Sequence, residues 1–406
     1  VTTRATGSDA WWESKQGPEW SREGEDRCRV TFWWRDPAGS ETTSSVQHVW
    51  IYITGVTDHH QRSRPQSLSR IPGTDVWFWQ TTLNANWRGS YCLIPSENEH
   101  DFAESAFTGE EPDRVALREG WRRLLAHAVA DPLNPLSWRG GRGHAVSALE
   151  MPDAPEQPGW HAPHETPFTQ PTCIHWRSAR LGNKRRVWIY TTGEESAAER
   201  PLAVLLDGQF WAQSMPVWPV LAALTQEGKL PPAVYLLVDS TDNAQRSVEL
   251  PCNAAFWQAL QEELLPQIKA LAPFSDDPAR TVVAGQSFGG LAALYAGLHW
   301  PERFGCVLSQ SGSFWWPHRG AQQDGVVIDQ IKAGSVQPHS LRIVLEAGAR
   351  EPLIFRVNQS LYALLQPTAA AVFWHPTDGG HDALCWRGGL TTGLMTLWQP
   401  LIDAGR

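Results

Sequence analysis

Hydrophobic and polar positions follow two different rhythms along this chain. Between residues 25 and 105, short segments alternate apolar and polar side chains, at 28–34, 49–53, 76–81 and 90–94. Turn-forming clusters such as Asp36-Pro37-Ala38-Gly39 and Pro72-Gly73-Thr74-Asp75 separate them. A period of two puts successive side chains on opposite faces of a strand, so these segments predict an antiparallel β-sandwich. Residues 116–130 then take up a helical spacing and stop before Asp131-Pro132.

Beyond residue 172 the rhythm changes. Near-continuous apolar runs at 186–191, 202–207, 234–239, 281–284, 306–309, 341–346 and 371–374 are interleaved with helical stretches, 256–271 among them. Strands without a polar face belong to a sheet covered by helices on both sides. Between the two regions, residues 151–171 carry Pro152, Pro155, Pro158, Pro163, Pro167 and Pro171 with no hydrophobic period. That stretch reads as a linker. The expected organisation is a β-sandwich over 1–150, a linker over 151–171 and an α/β domain over 172–406.

Composition narrows the class. A length of 406 residues favours two domains, and a net charge of -9 argues against nonspecific nucleic-acid binding. No apolar run approaches a membrane span, so no bilayer anchor is expected. Residues 1–8 have no apolar stretch, so no signal peptide is expected either, although a chain already cleaved would read the same. The six cysteines are scattered without a C-x-x-C pair. Reduced side chains and a cytoplasmic protein are therefore expected, rather than a disulfide framework or a zinc site. The 23 tryptophans are unusual, and most are expected to pack in cores.

Chemistry concentrates in the second region. Gly285-Gln286-Ser287-Phe288-Gly289 follows the apolar run 281–284 and precedes a helical stretch beginning at Gly290. A G-x-S-x-G turn between strand and helix is the nucleophile-elbow arrangement, which holds a serine hydroxyl clear of the backbone at a helix N-terminus. Ser287 is the expected nucleophile. Its base is expected after the last strand, where Gly379 and Gly380 let the backbone bend His381 back over the sheet. His375 continues the strand, and His318 follows the wrong strand. The acid is expected between nucleophile and base in chain order, and Glu351 falls in that loop; Glu346, Asp378 and Asp382 are the alternatives. The oxyanion hole is expected from the backbone N–H groups of Phe288 and of Gln209, in the loop Asp207-Gly208-Gln209.

These motifs come in a recognisable series. It runs Arg185-Arg186-Val187-Trp188-Ile189-Tyr190, Leu205-Leu206-Asp207-Gly208-Gln209, Arg246-Ser247-Val248-Glu249-Leu250, Glu263-Leu264-Leu265-Pro266 and the elbow. Ser309-Gln310-Ser311-Gly312-Ser313-Phe314-Trp315-Trp316 and Gly379-Gly380-His381 with Trp386 complete it. The series resembles the esterase D-type α/β-hydrolases, most closely the bacterial enterochelin (ferric enterobactin) esterases. The tryptophan-rich front half resembles their N-terminal immunoglobulin-like domain, so the resemblance covers nearly the full chain.

The resemblance implies an α/β-hydrolase domain behind an immunoglobulin-like β-sandwich. It implies a cytoplasmic enzyme that cuts the serine trilactone of imported ferric enterobactin, with Ser287 as nucleophile and His381 as base. Iron would arrive on the substrate, so no protein metal site or cofactor is expected. A bulky trianionic aromatic ligand needs a basic, aromatic cleft in an acidic protein. Arg246, Arg319 and Trp316 are the expected contacts, with guanidinium over catechol and indole beside it. The plainer reading of Arg246 is an ion pair with Glu249 that holds its loop. Two other functions compete: a feruloyl or other acyl-ester hydrolase of the same fold, and a non-catalytic siderophore-binding protein.

Overall fold

The computed structural model describes residues 5–61, 63–139, 144–160, 169–194, 196, 199–318 and 324–405. The chain divides into two compact units, one of Val1–Pro155 with Asp378–Cys385, the other of Glu156–Thr377 with Trp386–Arg406. A short excursion near the C-terminus, the segment around His381, thus groups with the first unit.

The first unit carries β1 (Glu19–Arg22), β2 (Arg27–Arg35), β3 (His48–Ile53), β4 (Gln66–Arg70), β5 (Val76–Asn84), β6 (Arg88–Ser96), β7 (Ser137–Arg139) and β8 (Ala145–Glu150). Their order is β1-β2-β5-β4-β3-β6-β8-β7, with every pairing antiparallel. The two halves of this arrangement meet at β4, which pairs with β3 over Gln66 to Leu68 and with β5 over Ser69 and Arg70. The alternation read from sequence sets the packing. Cys28, Val30, Phe32 and Trp34 of β2 point into one core with Val49, Ile51 and Ile53 of β3.

The opposite face of β3 and β6, through Tyr52, Cys92 and Ile94, packs on Leu117, Trp121, Leu124 and Leu125 of the helix Arg114–Leu125. Asp113 caps that helix by accepting from Val115 N and Ala116 N. The expected extension to residue 130 fails because the chain leaves the helix to pair with β6. Val129 exchanges backbone hydrogen bonds with Leu93 at 2.9 and 3.0 Å.

The second unit carries β9 (Thr172–Ser178), β10 (Asn183–Thr191), β11 (Leu202–Leu205), β12 (Val234–Val238), β13 (Thr281–Gln286), β14 (Cys306–Gln310), β15 (Arg342–Gly348) and β16 (Ala371–Thr377). The order is β9-β10-β12-β11-β13-β14-β15-β16. The antiparallel hairpin β9–β10 joins β12, and every other pairing is parallel. Every residue of β11 to β14 is buried, as strands covered on both faces must be. The expected mixed architecture, an antiparallel β domain ahead of an α/β sheet, is the one observed.

Successive strands reverse direction across the sheet between β11 and β13. Ligands of open α/β sheets bind at such a switch point, outside the carboxyl ends of the strands.

The Pro-rich stretch is not uniform. Gln157 is buried in the second unit and accepts from Arg387 Nε at 2.6 Å, while Trp160 Nε1 donates to Arg387 O at 2.9 Å. Residues 161–168 of the expected linker lie outside the described residues.

Candidate active site

The backbone leaves β13 through a sharp turn. Ser287 adopts φ 60 and ψ -121, a conformation that L-residues rarely occupy, and the helix Phe288–His299 starts at the next residue. The turn closes only because Gly285 lacks a side chain, for a Cβ there would lie 2.2 Å from Gly289 O. Gly290 is similarly confined, its Cβ position being 2.7 Å from Ser309 Oγ. Ser287 N donates to Gln310 O at 3.0 Å, and Ser287 O accepts from Leu291 N and Ser313 N. The peptide is pinned on both sides, while the residue remains partly exposed.

Ser287 is one of four positive-φ residues at this edge of the sheet. Asp207, Thr241, Ser287 and Ser311 each come just after one of the parallel strands β11 to β14. Strain of this kind persists where the surroundings over-determine the backbone, and it clusters at functional edges.

Beside the elbow runs the loop after β11. Gly208 lies hard against β12, since a Cβ would sit 2.4 Å from Val238 N. Gln209 begins a helical segment, Phe210–Ser214, and its side-chain Oε1 accepts from Ser240 N at 2.9 Å. The amides of Phe288 and Gln209 are therefore both at helix starts, where the first N–H groups lack intrahelical acceptors.

Arg246 braces these two pieces. Its Nε and Nη2 donate to the two carboxylate oxygens of Asp207 at 2.8 and 2.9 Å, and Nη2 also reaches Gln286 O at 3.2 Å. The guanidinium lies 5.6 Å from the centre of the Phe288 ring. The alternative partner, Glu249, is held instead by Arg185, with both side chains almost completely buried. Arg246 thus ties the loop after β11 to the end of β13, a different job from the ion pair with Glu249 read from the sequence.

A polar string missed by the sequence reading runs beneath the elbow. Trp211 Nε1 donates to Gln286 Oε1 at 3.1 Å, Gln286 Nε2 to Gln310 Oε1 at 2.9 Å, and Gln310 Nε2 to Glu346 Oε2 at 2.9 Å. Each polar residue closes or interrupts an apolar strand, and that was its sequence signal. Burial, with the charge of Glu351 adding to it, pushes the Glu346 carboxyl up to about 8 against the pull of Gln310.

The four candidate acids are sorted by their partners. Glu351 is fully buried at the start of the helix Pro352–Leu365, where its Oε2 accepts from Gly348 N and Ser311 Oγ, each at 2.8 Å. Trp386 Nε1 donates in turn to Ser311 Oγ at 2.9 Å. Glu346 is engaged by Gln310, and Asp378 accepts from Asn84 Nδ2 at 2.7 Å. Asp382 takes both the backbone N–H and the hydroxyl of Ser90. Burial raises its carboxyl, opposed by these donors.

The remaining expected residues are distributed as follows. Ser287 lies in the second unit, and His381 lies in the loop that groups with the first, its ring 5.6 Å from that of His60. His375 sits within β16 opposite Glu346, and burial lowers it below the ordinary histidine range. Trp316 is half-buried and packs on the second unit's core. Arg319 lies outside the described residues.

Residues 29–160 match the family described as "Enterochelin esterase, N-terminal", and residues 178–397 match "Putative esterase". The chain is 65% identical over 401 residues to the iron(III) enterobactin esterase of Escherichia coli K12, covering 99% of each. A crystal structure of ferric enterobactin esterase from Salmonella typhimurium superposes with a TM-score of 0.94 at 67% identity, over 98% of this chain and 100% of that one. The enterobactin esterase of Shigella flexneri, crystallised in the presence of enterobactin, gives 0.90 at 64% identity, over 98% and 99%. With both halves matched and the likeness running the length of the chain, this protein is a carboxylic-ester hydrolase belonging to the iron(III) enterobactin (enterochelin) esterase family.

Proposed function

We propose that the chain hydrolyses the serine-trilactone esters of ferric enterobactin by a serine mechanism. Ser287 Oγ attacks an ester carbonyl as His381 takes its proton, forming an acyl-enzyme through a tetrahedral intermediate. The oxyanion of that intermediate receives the N–H groups of Phe288 and Gln209. Protonated His381 gives its proton to the departing alkoxide oxygen of the substrate's serine, and water, deprotonated by His381, then attacks and releases the acyl group, returning the proton to Ser287 Oγ. Glu351 is the proposed acid, because it lies fully buried after β15, between Ser287 and His381 in chain order, with its Oε2 fixed by Gly348 N and Ser311 Oγ.

One observation carries the substrate: the likeness to iron(III) enterobactin esterases extends over 99% of the chain. The strained Ser287 backbone carries the mechanism. Iron enters on the substrate, and the chemistry calls for no cofactor of the protein's own. Trp316 and Arg319 are the proposed contacts to the catecholates, with Arg246 acting through the loop it braces. Among the described residues no helix is long and apolar enough to cross a membrane. We place the enzyme in the cytoplasm, in keeping with its scattered cysteines without a C-x-x-C pair.

The test is direct. Purified protein should convert ferric enterobactin to linear dihydroxybenzoylserine products and react with a fluorophosphonate at Ser287, and Ser287→Ala should do neither. Normal turnover by the alanine variant would exclude the serine mechanism. Turnover of feruloyl sugars with none of enterobactin would reassign the substrate.

A further inference from the structure

The loop that carries His381 is fastened to the β-sandwich at four positions between residues 378 and 385. Asp378 Oδ2 accepts from Asn84 at the end of β5, at 2.7 Å. Gly380 runs so close to the turn after β3 that a Cβ would lie 2.7 Å from Gly55 N and 2.8 Å from Gly55 Cα. Asp382 accepts Ser90 N on Oδ2 at 2.7 Å, and Ser90 Oγ and Leu384 N on Oδ1 at 2.5 and 2.9 Å. Cys385 Sγ reaches Arg88 O at 3.5 Å.

Asp382 is the strongest of these ties. It is 4% exposed, and a carboxylate withdrawn from water costs free energy unless donors fill its oxygens. Here three donors do so, two of them from one residue. Ser90 is itself held, opposite Ala148 of β8 and with its carbonyl accepting from Thr54 N at 3.0 Å. His381 is the preceding residue, one peptide unit or about 3.8 Å away between Cα atoms. With Asp382 fixed on one side and Gly380 wedged against Gly55 on the other, the backbone of His381 has little freedom left.

We propose that Ser90 and Asp382 are a positioning pair for His381, so that the β-sandwich, through β6, sets the orientation of the catalytic base. The inference rests on the reading of His381 as that base. It gives the N-terminal domain a part in the chemical step. Displacing a catalytic group by about 1 Å lowers a rate by roughly a hundredfold, so the effect belongs in turnover.

The experiment uses the full chain, ferric enterobactin and a fluorophosphonate probe. Asp382→Asn keeps the size but replaces one acceptor oxygen by an amide donor, and Ser90→Ala removes one donor without adding a polar group. Both should lower kcat by about 10- to 100-fold with KM within twofold, and should slow phosphonylation of Ser287 in parallel. Ser90→Thr keeps the hydroxyl and the N–H and should restore most of kcat. Full kcat in folded Ser90→Ala and Asp382→Asn would overturn the proposal, as would a loss confined to KM. His381→Ala separates the two levels. If it stays active the base assignment itself fails, whereas an inactive His381→Ala beside fully active Ser90 and Asp382 variants sinks only the positioning role.

Discussion

Arg246 grips both carboxylate oxygens of Asp207, at 2.8 and 2.9 Å, and in the same reach touches the carbonyl of Gln286, one residue before Ser287. The pair is only partly screened by solvent, with the side chains 21% and 15% exposed. A bidentate fork of this shape is not available to lysine. Arg246→Lys should therefore lower kcat by about tenfold while leaving KM nearly unchanged, and Arg246→Ala should lose about 2 kcal/mol of stability as Asp207 loses its cation and keeps only the Ser240 hydroxyl among these side-chain donors. Steady-state kinetics and urea unfolding measure both. A rise in KM with kcat intact would instead make Arg246 a direct substrate contact.

Gly285 offers a second, sterically defined prediction. A methyl group there would occupy space 2.2 Å from Gly289 O and 2.3 Å from Gly289 C, and backbone cannot swing aside as a long side chain can. Gly285→Ala should destabilise the second unit by about 2–3 kcal/mol and reduce fluorophosphonate labelling of Ser287. Gly289→Ala is the matching control. Its nearest foreign atom is 3.6 Å away, so it should leave Ser287 labelling close to normal. The two motif glycines thus have different reasons for being glycine.

Local pattern carried much of this architecture. The inward row Cys28, Val30, Phe32 and Trp34 is written directly in the alternation of residues 28–34, and the elbow is written in a buried strand followed by Gly285 to Gly289. What the pattern could not carry were contacts whose partners are remote in sequence. Asp382 meets Ser90 across a separation of 292 residues, and no spacing rule links them. Arg246 lies three residues before Glu249, the spacing of a helical ion pair, yet it reaches Asp207 across 39 residues and leaves Glu249 to Arg185. Helix 114–125 stops early for a similar reason, since Val129 finds a backbone partner on β6.

Glu351→Gln tests the acid. The amide still fits the volume but cannot accept from both Gly348 N and Ser311 Oγ and also balance an imidazolium charge. Loss of the acid from such a triad lowers kcat by about 10⁴-fold when it fixes the tautomer of the base, and less where the base is held by other ties. With Ser90 and Asp382 also fastening the histidine loop, the expected loss is about 10²- to 10³-fold in kcat. Wild-type turnover in Glu351→Gln would remove Glu351 from the mechanism.

Glu346 sets a pH dependence whose sign is fixed by its environment. The folded chain holds its proton up to about 8, chiefly through burial, whereas an ordinary glutamate loses it near 4.5. Between those values the folded state binds one proton more than the unfolded state at this position. Its contribution to stability is therefore complete below about 4.5 and declines as pH rises toward 8, by at most about 1.4 kcal/mol per pH unit, with no further change above. Glu346→Gln keeps the acceptor for Gln310 Nε2 but carries no titratable proton. On moving from pH 6 to pH 8, the wild-type protein should lose about 2 kcal/mol more than the variant in urea unfolding followed by tryptophan fluorescence. Parallel curves for the two proteins across that range would mean that Glu346 ionises normally in the folded state, with water or a cation reaching the Gln310 string.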